Sequence, residues 1–217
     1  MTETDNKAGT YTTYYAGSDN DRVSKWHAPD EVYILGYFSV YWSCDKTRVL
    51  SFDYDACKMT ILQDGGYEPK KTEGKYYWYN IPEELDMPGE YYISSDAILY
   101  YYPLEEGGGD SIIVPLAKCD LIQSTADRIV FDGFTLKDTR GKALDINGNN
   151  ITVKNCRIER ISNNGMTFNG NDNLLEGCEI ARVGYVAVKM DGGDVDTLTS
   201  SDTVAANNYI HSYAESK

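Results

Sequence analysis

Three segments of the chain align without gaps: ALDINGNN (143–150), GMTFNGND (165–172) and AVKMDGGD (187–194). Their starting positions, 143, 165 and 187, are equally spaced with a period of 22, so the agreement is positional and not merely compositional. A strand-turn-strand unit of this length cannot bury its apolar face alone, but successive units that stack form a continuous core. The repeat predicts a right-handed parallel β-helix of about three to four coils from about Asp127 onward.

The residues between these segments also repeat in register. Polar and apolar residues alternate there over short runs, which is the periodicity of strands with one face inward. Cys156 and Cys178 fall in adjacent coils, and we expect two buried thiols that pack as small hydrophobic groups. The columns of small and apolar residues in register are Phe131, Val153 and Leu175; Phe134, Cys156 and Cys178; and Leu136, Ile158 and Ile180.

A polar turn column accompanies the strands. Asn147, Asn169 and Asp191 recur in register, and each is followed by glycine. Because asparagine and glycine accept left-handed backbone angles, we expect this column to form the turns. We also expect the stacked asparagine amides to hydrogen-bond from coil to coil.

A fourth coil begins at Thr203, after an insertion. The sequence separation of Gly177 and Asn207 is 30 rather than the usual 22, which leaves eight additional residues in one loop. The sequence then ends at Lys217 in mid-coil, with an open core and an unpaired strand edge. We therefore expect the chain to be a fragment of a longer protein.

Residues 1–120 show no such period. They are rich in tyrosine and in short alternating runs such as EVYILGYFSVYW (31–42), broken by Gly, Asp and Pro. These runs favour antiparallel strands. The sequence predicts an all-β chain in which a small antiparallel β-sandwich-like domain, residues 1–120, precedes the coils of residues 121–217.

The charge balance limits the possible partners. The chain carries 34 acidic and 20 basic residues, a net charge of −14, which repels nucleic-acid phosphates and anionic lipid surfaces. It has no apolar run of the roughly 18 residues that a membrane-spanning helix needs. MTETDNK (1–7) does not resemble a secretory signal. We expect neither a nucleic-acid nor a membrane partner, and the localisation stays open.

The sequence contains one candidate segment for a metal ion. DGGDVD (191–196) brings three carboxylates to short spacing and is the candidate for calcium, which takes about six to eight oxygen ligands. It does not match an EF-hand loop. The five cysteines lack a CxxC pair and nearby histidines, which argues against a zinc site and a disulfide framework. We predict no cofactor, with calcium as the alternative.

Two stretches carry longer motifs, YYWYNIPEELDMPGEYYISSDAILYYYP (76–103) and VAVKMDGGDVDTLTSSDTVAANNYIHSY (186–213). They resemble the ELDxPGEWY, LYYxP and GGDRxTLTPxxNxVxNNxIH patterns of bacterial right-handed parallel β-helix proteins, a group that includes the β-xylosidases of glycoside hydrolase family 120. Val195 stands where the group usually has Arg, and Ser201 stands near its usual Pro. The matching residues are Glu84, Leu85, Asp86, Pro88, Gly89, Glu90, Tyr92, Leu99, Tyr100, Pro103, Gly192, Gly193, Asp194, Leu198, Thr199, Asn207, Ile210 and His211.

This resemblance extends over roughly Asp21 to Lys217. It implies a β-helix with an added β-sandwich and a glycan-processing role. It further implies that the chemistry belongs to an acidic pair, a nucleophile and an acid/base, on coils downstream of the IHSY segment (210–213). The catalytic residues are therefore unknown within this chain.

Four residues are the candidates for substrate binding. Asp145 and Lys189 lie on a coil face two coils apart, and Asp194 and Asp196 lie in the insertion. Such insertions tend to line the binding face of solenoids. Asp172 and Asp194 are spaced to stack, although polar turn residues more simply face solvent.

The leading hypothesis is a partial glycoside hydrolase that acts on plant-type oligosaccharides such as xylo-oligosaccharides. A polysaccharide lyase is an alternative, with Lys189, Arg160 and Arg182 as possible contributors, although an acidic protein suits acidic glycans poorly. A non-catalytic glycan-binding or adhesive β-helix is another. All three have an oligosaccharide or polysaccharide as partner, and the 19 tyrosines provide flat faces that stack on sugars as well as fill cores.

Overall fold

The computed structural model describes residues 9–40, 43–62, 75–105 and 111–215. The chain divides into two compact units, Met1–Ser111 and Ile112–Lys217. Within the described ranges, no helix is long and apolar enough to span a membrane. Both units consist mainly of β-strands, which confirms the predicted all-β class.

The first unit is antiparallel, as its alternating runs predict. Five strands form one sheet in the order β1-β4-β3-β2-β5, and β6 pairs with β7 in a separate two-stranded sheet. One α-helical turn, Asn20–Val23, and three short 3-10 helices, Gly17–Asp19, Pro29–Glu31 and Pro82–Glu84, connect them. The strands are β1 (Thr10–Tyr14), β2 (Tyr33–Val40), β3 (Ser43–Asp53), β4 (Lys58–Leu62), β5 (Tyr76–Tyr79), β6 (Tyr91–Ile93) and β7 (Leu99–Tyr101).

One face of the five-stranded sheet buries a mixed aliphatic and aromatic core. Trp26 and Trp78 pack edge to face with ring centroids 5.4 Å apart, an arrangement that the ring quadrupoles favour. The Arg22 guanidinium lies 5.5 Å from the centre of the Trp78 ring and donates to Glu84 at 3.2 Å. Glu84 also accepts the indole N–H of Trp26 at 3.0 Å. The fully buried aliphatic residues here are Val23, Val32, Ile34 and Val49.

The ELDMPGE motif has a structural role in this unit. One carboxylate oxygen of Glu90 accepts the backbone N–H groups of Asp86 and Met87 at 3.0 and 2.9 Å. Gly89 adopts a φ of +94°, which few other residues accept, and its N–H donates to the carbonyl of Tyr102 at 2.8 Å. These contacts fix the turn between β5 and β6.

The second unit is a parallel β-helix in which each coil contributes one strand to each of three sheets. The first sheet has the order β17-β14-β11-β8, the second β18-β15-β12-β9 and the third β10-β13-β16-β19. The strands are β8 (Ile122–Ser124), β9 (Val130–Asp132), β10 (Thr135–Thr139), β11 (Leu144–Asn147), β12 (Thr152–Lys154), β13 (Arg157–Ile161), β14 (Met166–Asn169), β15 (Leu174–Glu176), β16 (Glu179–Val183), β17 (Val188–Asp191), β18 (Val204–Ala206) and β19 (Tyr209–Tyr213).

Equivalent residues of the repeat pair across adjacent coils, which confirms the register that the repeat predicts. Ile158 pairs with Leu136 on one side and with Ile180 on the other. Ile180 then pairs with Ile210, which lies more than one repeat period further along the chain. The regular spacing holds through β17 and is exceeded at β18, so the insertion lies between these two strands. The parallel pairing begins at Ile122, before Asp127.

The core of the β-helix contains the two predicted thiols. Cys156 and Cys178 are 3% and 2% exposed, and both are free cysteines. The Cys178 Sγ accepts the backbone N–H of Cys156 at 3.4 Å. Burial raises the pKa of the Cys178 thiol, so this group stays protonated and packs as a small apolar side chain.

The left-handed turn residues differ from those expected. Asn147, Asn169 and Asp191 end the strands of the first sheet and are not left-handed. Positive φ angles fall three residues after the first two, at Asn150 (57°) and Asp172 (56°). The expectation of a left-handed column at Asn147, Asn169 and Asp191 is therefore wrong.

Among the glycines that follow this column, Gly170 has a positive φ of 143°, and Gly148 and Gly170 both meet a second requirement. A Cβ on Gly148 would lie 2.5 Å from the carbonyl oxygen of Ala126 in the preceding coil, and one on Gly170 would lie 2.3 Å from that of Gly148. No side chain fits between turns at this distance. Glycine is required because the turns stack directly on one another.

A ladder of side-chain oxygens also joins the turns. Asp127 Oδ1 accepts the backbone N–H of Asn149 at 2.7 Å. Asn149 Oδ1 accepts that of Asn171, and Asn171 Oδ1 accepts that of Gly193, both at 2.8 Å. Each turn is thus bonded to the next through the equivalent residue of the preceding coil, which fixes the spacing of the coils.

Candidate functional site

The outward face of the first sheet is polar along its length. Its strands alternate buried and outward residues, and Asp145 faces outward on β11. Asp145 pairs in register with Gln123 on one side and Thr167 on the other, and Lys189 pairs with Thr167. These four residues, here named the polar column, span about 14 Å because three steps of about 4.8 Å separate its ends.

The charged members of the polar column have partners on the same face. Asp145 Oδ1 lies 2.9 Å from the ammonium of Lys142, and the Asp145 side chain is 18% exposed. The ammonium of Lys189 lies 2.6 Å from Asp191 Oδ2, and the Lys189 side chain is 54% exposed. The column therefore presents both hydrogen-bond donors and acceptors.

Thr167 has an unusual environment for a residue on an outward face. It is only 4% exposed, and among the described residues its hydroxyl has no hydrogen-bond partner. A buried polar group without a partner costs about 1–3 kcal/mol. Because the hydroxyl is buried, a ligand oxygen reaches it only if neighbouring side chains move, and a hydrogen bond formed there would recover this cost.

A second polar column runs beside the first. Asn147, Asn169 and Asp191 pair in register at the ends of β11, β14 and β17. Asn169 Nδ2 donates to Asn147 Oδ1 at 2.7 Å, which confirms the expected hydrogen bond between stacked amides. The face as a whole offers amide, hydroxyl, carboxylate and ammonium groups.

The eight-residue insertion forms a small hairpin after β17. Asp194 and Thr199 exchange backbone hydrogen bonds of 2.9 and 3.0 Å, and Asp194 Oδ1 accepts the N–H groups of Asp196 and Thr197 at 2.8 and 2.9 Å. The Thr197 and Asp196 backbone amides hold the pKa of Asp194 below its usual range. Asp194 thus orders the loop, while Asp194 and Asp196 both remain exposed.

The insertion removes Asp194 from the column in which it was expected to stack on Asp172. The backbone N–H of Asp172 donates instead to the carbonyl of Ser201 at 2.7 Å. The regular spacing of the repeat holds as far as Gly193, which bonds Asn171, and is lost beyond it. Asp172 and Asp194 therefore do not stack, and both are exposed, in agreement with the simpler expectation that polar turn residues face solvent.

The carboxylates of residues 191–196 do not converge. Asp191 pairs with Lys189, and Asp194 accepts the amides of its own loop. In the part of the chain that the structure describes, no group of three or more His, Cys, Asp or Glu residues is arranged to hold a metal ion. Calcium binding by this segment stays a prediction.

A charged network covers the outward face of the third sheet. Arg160 donates twice to Asp138, at 2.6 and 3.1 Å, and Arg157 donates to Glu159 at 3.0 Å. Burial alone would raise the pKa of Glu159, but the hydrogen bond from Arg157 and the charge of Arg160 outweigh it, so the pKa lies below its usual value. These groups neutralise one another and form a structural network.

His211 lies beside this network on β19. Its ring lies 4.4 Å from that of Tyr209, and its Nε2 lies 3.7 Å from Glu179 Oε1. The residue is partly exposed. His211 is therefore a packed, partly exposed surface histidine.

The structure brings together some of the predicted residues and separates others. Asp145 and Lys189 share one column, and Thr167 lies between them. Arg160 lies on the third sheet, whereas Lys189 lies on the first. Sequence reasoning missed Thr167 and Lys142, although a step of one repeat period from Asp145 leads directly to Thr167.

The fold and the site together define a parallel β-helix protein whose first sheet has a polar outward face, with a polar column about 14 Å long. A family model described as a right-handed β-helix region matches residues 117–216, which supports the predicted hand. A solved structure titled "Glycoside hydrolase" is similar with a TM-score of 0.70 and 15% sequence identity, over 99% of this chain and 52% of that one. This chain thus spans about half the length of that structure. No curated protein matches this chain.

Proposed function

We propose that the chain is the glycan-binding part of a glycoside hydrolase-like protein that acts on plant-type oligosaccharides. The polar column of the first sheet is the observation that carries this proposal. Sugar hydroxyls both donate and accept hydrogen bonds, so they match a row of amide, carboxylate, hydroxyl and ammonium groups spaced about 4.8 Å apart. The likeness in fold to a glycoside hydrolase supports the same class of ligand.

Xylo-oligosaccharides are the proposed substrates because they are neutral. A net charge of −14 disfavours acidic glycans, and the motifs at 76–103 and 186–213 resemble those of β-xylosidases. Lys189, the basic member of the polar column, is paired with Asp191. The lyase alternative has less support, because Arg160 is committed to Asp138 on another sheet.

The hydrolytic step needs two carboxyl groups, about 5 to 5.5 Å apart when configuration is retained. The carboxylates of the faces described above already have partners: Asp145 with Lys142, Glu159 with Arg157, and Asp194 with its own loop. We therefore assign the catalytic pair to coils beyond these 217 residues. The exposed loop residues Asp194 and Asp196 are proposed to contact the glycan from beyond the end of β17.

Calorimetric titration of the chain with xylohexaose tests the binding face. Lys189→Met removes the ammonium, and hydrogen bonds to charged groups contribute about 1.5–3 kcal/mol, so affinity falls by about tenfold or more. Lys154→Met is the matched control: Lys154 is partly exposed on the second sheet and also pairs with an aspartate, Asp132, at 3.3 Å. Equal affinities for the two variants would refute the assignment of this face.

The hydrolase part of the proposal has a separate test. A panel of aryl glycosides is incubated with the complete natural coding product that contains this chain, and released sugar is measured. Release from the β-xyloside is the expected result. If xylohexaose binds but no glycoside is cleaved, the non-catalytic glycan-binding alternative replaces the hydrolase.

A further inference from the structure

Four tyrosines gather on the first unit, on the side of the five-stranded sheet opposite its core. Tyr33 and Tyr79 stack across β2 and β5 with ring centroids 5.5 Å apart, and the Tyr77 ring lies 6.2 Å from that of Tyr79. Burial raises the pKa of Tyr79, and the nearby phenols of Tyr33, Tyr77 and Tyr91 raise it further. These four residues form the tyrosine cluster.

Two polar groups, one in this cluster and one beside it, lack conventional partners within the described ranges. The Tyr79 hydroxyl is buried and has no hydrogen bond. The Lys46 ammonium lies 5.8 and 5.4 Å from the ring centres of Tyr33 and Tyr79. No described carboxylate pairs with Lys46, although the chain carries 34 acidic residues. Its N–H groups are therefore available to an oxygen-rich ligand.

The cluster also presents accessible ring surface. Tyr77 and Tyr91 are 58% and 62% exposed, whereas Trp78, which follows Tyr77 on β5 and points to the opposite side of the sheet, packs against the core. Tyrosine combines an apolar ring face with a polar hydroxyl, which suits a ligand that has both C–H faces and hydroxyls. A pyranose ring has this composition.

We propose that the tyrosine cluster and Lys46 form a second carbohydrate-binding surface, which takes one or more pyranose units of an oligosaccharide. The rings of Tyr77 and Tyr91 contact the C–H face of the sugar, and Lys46 donates to its hydroxyl oxygens. The ligand class rests on the proposed function, but the residues belong to the other unit. A second copy of the chain fits less well, because the centre of such an interface is depleted in charged groups and Lys46 lies over these rings.

Titration with xylohexaose tests this surface. Tyr77→Ala removes one aromatic contact, and such contacts contribute about 0.5–1.5 kcal/mol, so affinity at this surface falls by about twofold to tenfold. Lys46→Met is expected to weaken binding as well. The matched control is Tyr102→Ala, because Tyr102 is a 42% exposed tyrosine of the same unit. Circular dichroism and thermal denaturation verify that each variant folds.

The experiment is repeated in the Lys189→Met background, so that each of the two proposed binding surfaces is tested separately. Residual binding that Tyr77→Ala then weakens by about a further twofold to tenfold supports the proposal. If Lys189→Met alone removes all binding, the cluster is not a sugar site and the proposed function stands. If Tyr77→Ala and Lys46→Met remove all binding while Lys189→Met has no effect, the proposed face fails instead. A dimer that Tyr77→Ala dissociates, seen by sedimentation velocity without sugar binding, overturns the proposal.

Discussion

Asn169 donates its side-chain N–H to the side-chain oxygen of Asn147, its equivalent in the preceding coil, over 2.7 Å. Asn173, which lies four residues after Asn169, joins the same two coils in the interior of the β-helix. Asn173 is 1% exposed, its Oδ1 accepts the backbone N–H of Ile151 at 2.9 Å, and its Nδ2 donates to the carbonyl of Gly148 at 3.1 Å. Asparagines at two depths therefore hold one pair of coils together.

The two asparagines are expected to differ in their contribution to stability. Asn173→Ala leaves the buried N–H of Ile151 unsatisfied and should lower the free energy of unfolding by about 2–3 kcal/mol. Asn169→Ala exposes its partner to water and should cost about 1 kcal/mol or less. Urea denaturation of both variants provides the comparison. Equal losses would contradict the interior role of Asn173.

Glycine in the turns provides a second pair of variants. Gly148→Ala places a methyl group 2.5 Å from the carbonyl oxygen of Ala126, so the coils must separate, at a cost of about 3 kcal/mol. Gly133→Ala meets no atom within 4 Å but retains a φ of +76°, which costs about 1 kcal/mol. Thermal denaturation ranks them. If Gly133→Ala is the more harmful, stacking distance is not the constraint.

The ion pair of Asp138 with Arg160 makes stability depend on pH. The hydrogen bond from Arg160 holds the pKa of Asp138 below its usual value, so the unfolded chain binds this proton more tightly than the folded one. The resulting stabilisation is present above the unfolded pKa of about 3.9 and disappears as the pH falls through the folded pKa.

Melting temperatures between pH 6 and pH 3, an interval of about 3 pH units that spans the ordinary pKa of aspartate, measure this effect. The Asp138→Asn variant should lose less of its melting temperature on acidification than the unmodified chain. Asp196→Asn, at an exposed loop position, is the control and should retain the original profile. Identical slopes for the unmodified chain and Asp138→Asn would exclude this pair as a source of the acid sensitivity.

The Thr167 hydroxyl is expected to lower the stability of the free chain and to strengthen oligosaccharide binding. Thr167→Val removes a buried hydroxyl that has no partner among the described residues and should stabilise the free chain by about 1 kcal/mol, while it weakens oligosaccharide binding. Thr139→Val is the matched control, because the fully buried Thr139 donates to the carbonyl of Cys119 at 2.8 Å. That variant should be destabilised by about 1–3 kcal/mol. Destabilisation of Thr167→Val would show that its hydroxyl is already satisfied.

The regular part of the fold could be predicted because a parallel coil pairs each residue with its equivalent in the next coil. The register of Leu136, Ile158 and Ile180 follows directly from the constant period of the repeat. The same extrapolation failed at Asp194, where the hairpin with Thr199 interrupts the repeat. Periodicity therefore predicts the coils and their core, but not the structure of an insertion.

The candidate site was harder to predict than the coils. The charges of Asp145 and Lys189 make them candidates from the sequence alone. Thr167 carries no charge, and only the structure shows that it is buried without a hydrogen-bond partner among the described residues. The glycine after Asn147 suggests a left-handed turn from the sequence alone, but the residue is required by the close approach of Ala126. Such distances between coils depend on three-dimensional packing, which a single sequence does not contain.

The most direct test of the central claim is a chemical-shift map of the backbone amides during titration with xylohexaose. The largest shifts in the β-helix are expected at Asp145, Thr167 and Lys189 on the first sheet, while the amides of Lys154 and Thr152 on the second sheet remain unchanged. Shifts confined to the second or third sheet, or no shifts in the β-helix at saturating sugar, would contradict the assignment of the polar column as the glycan-binding face.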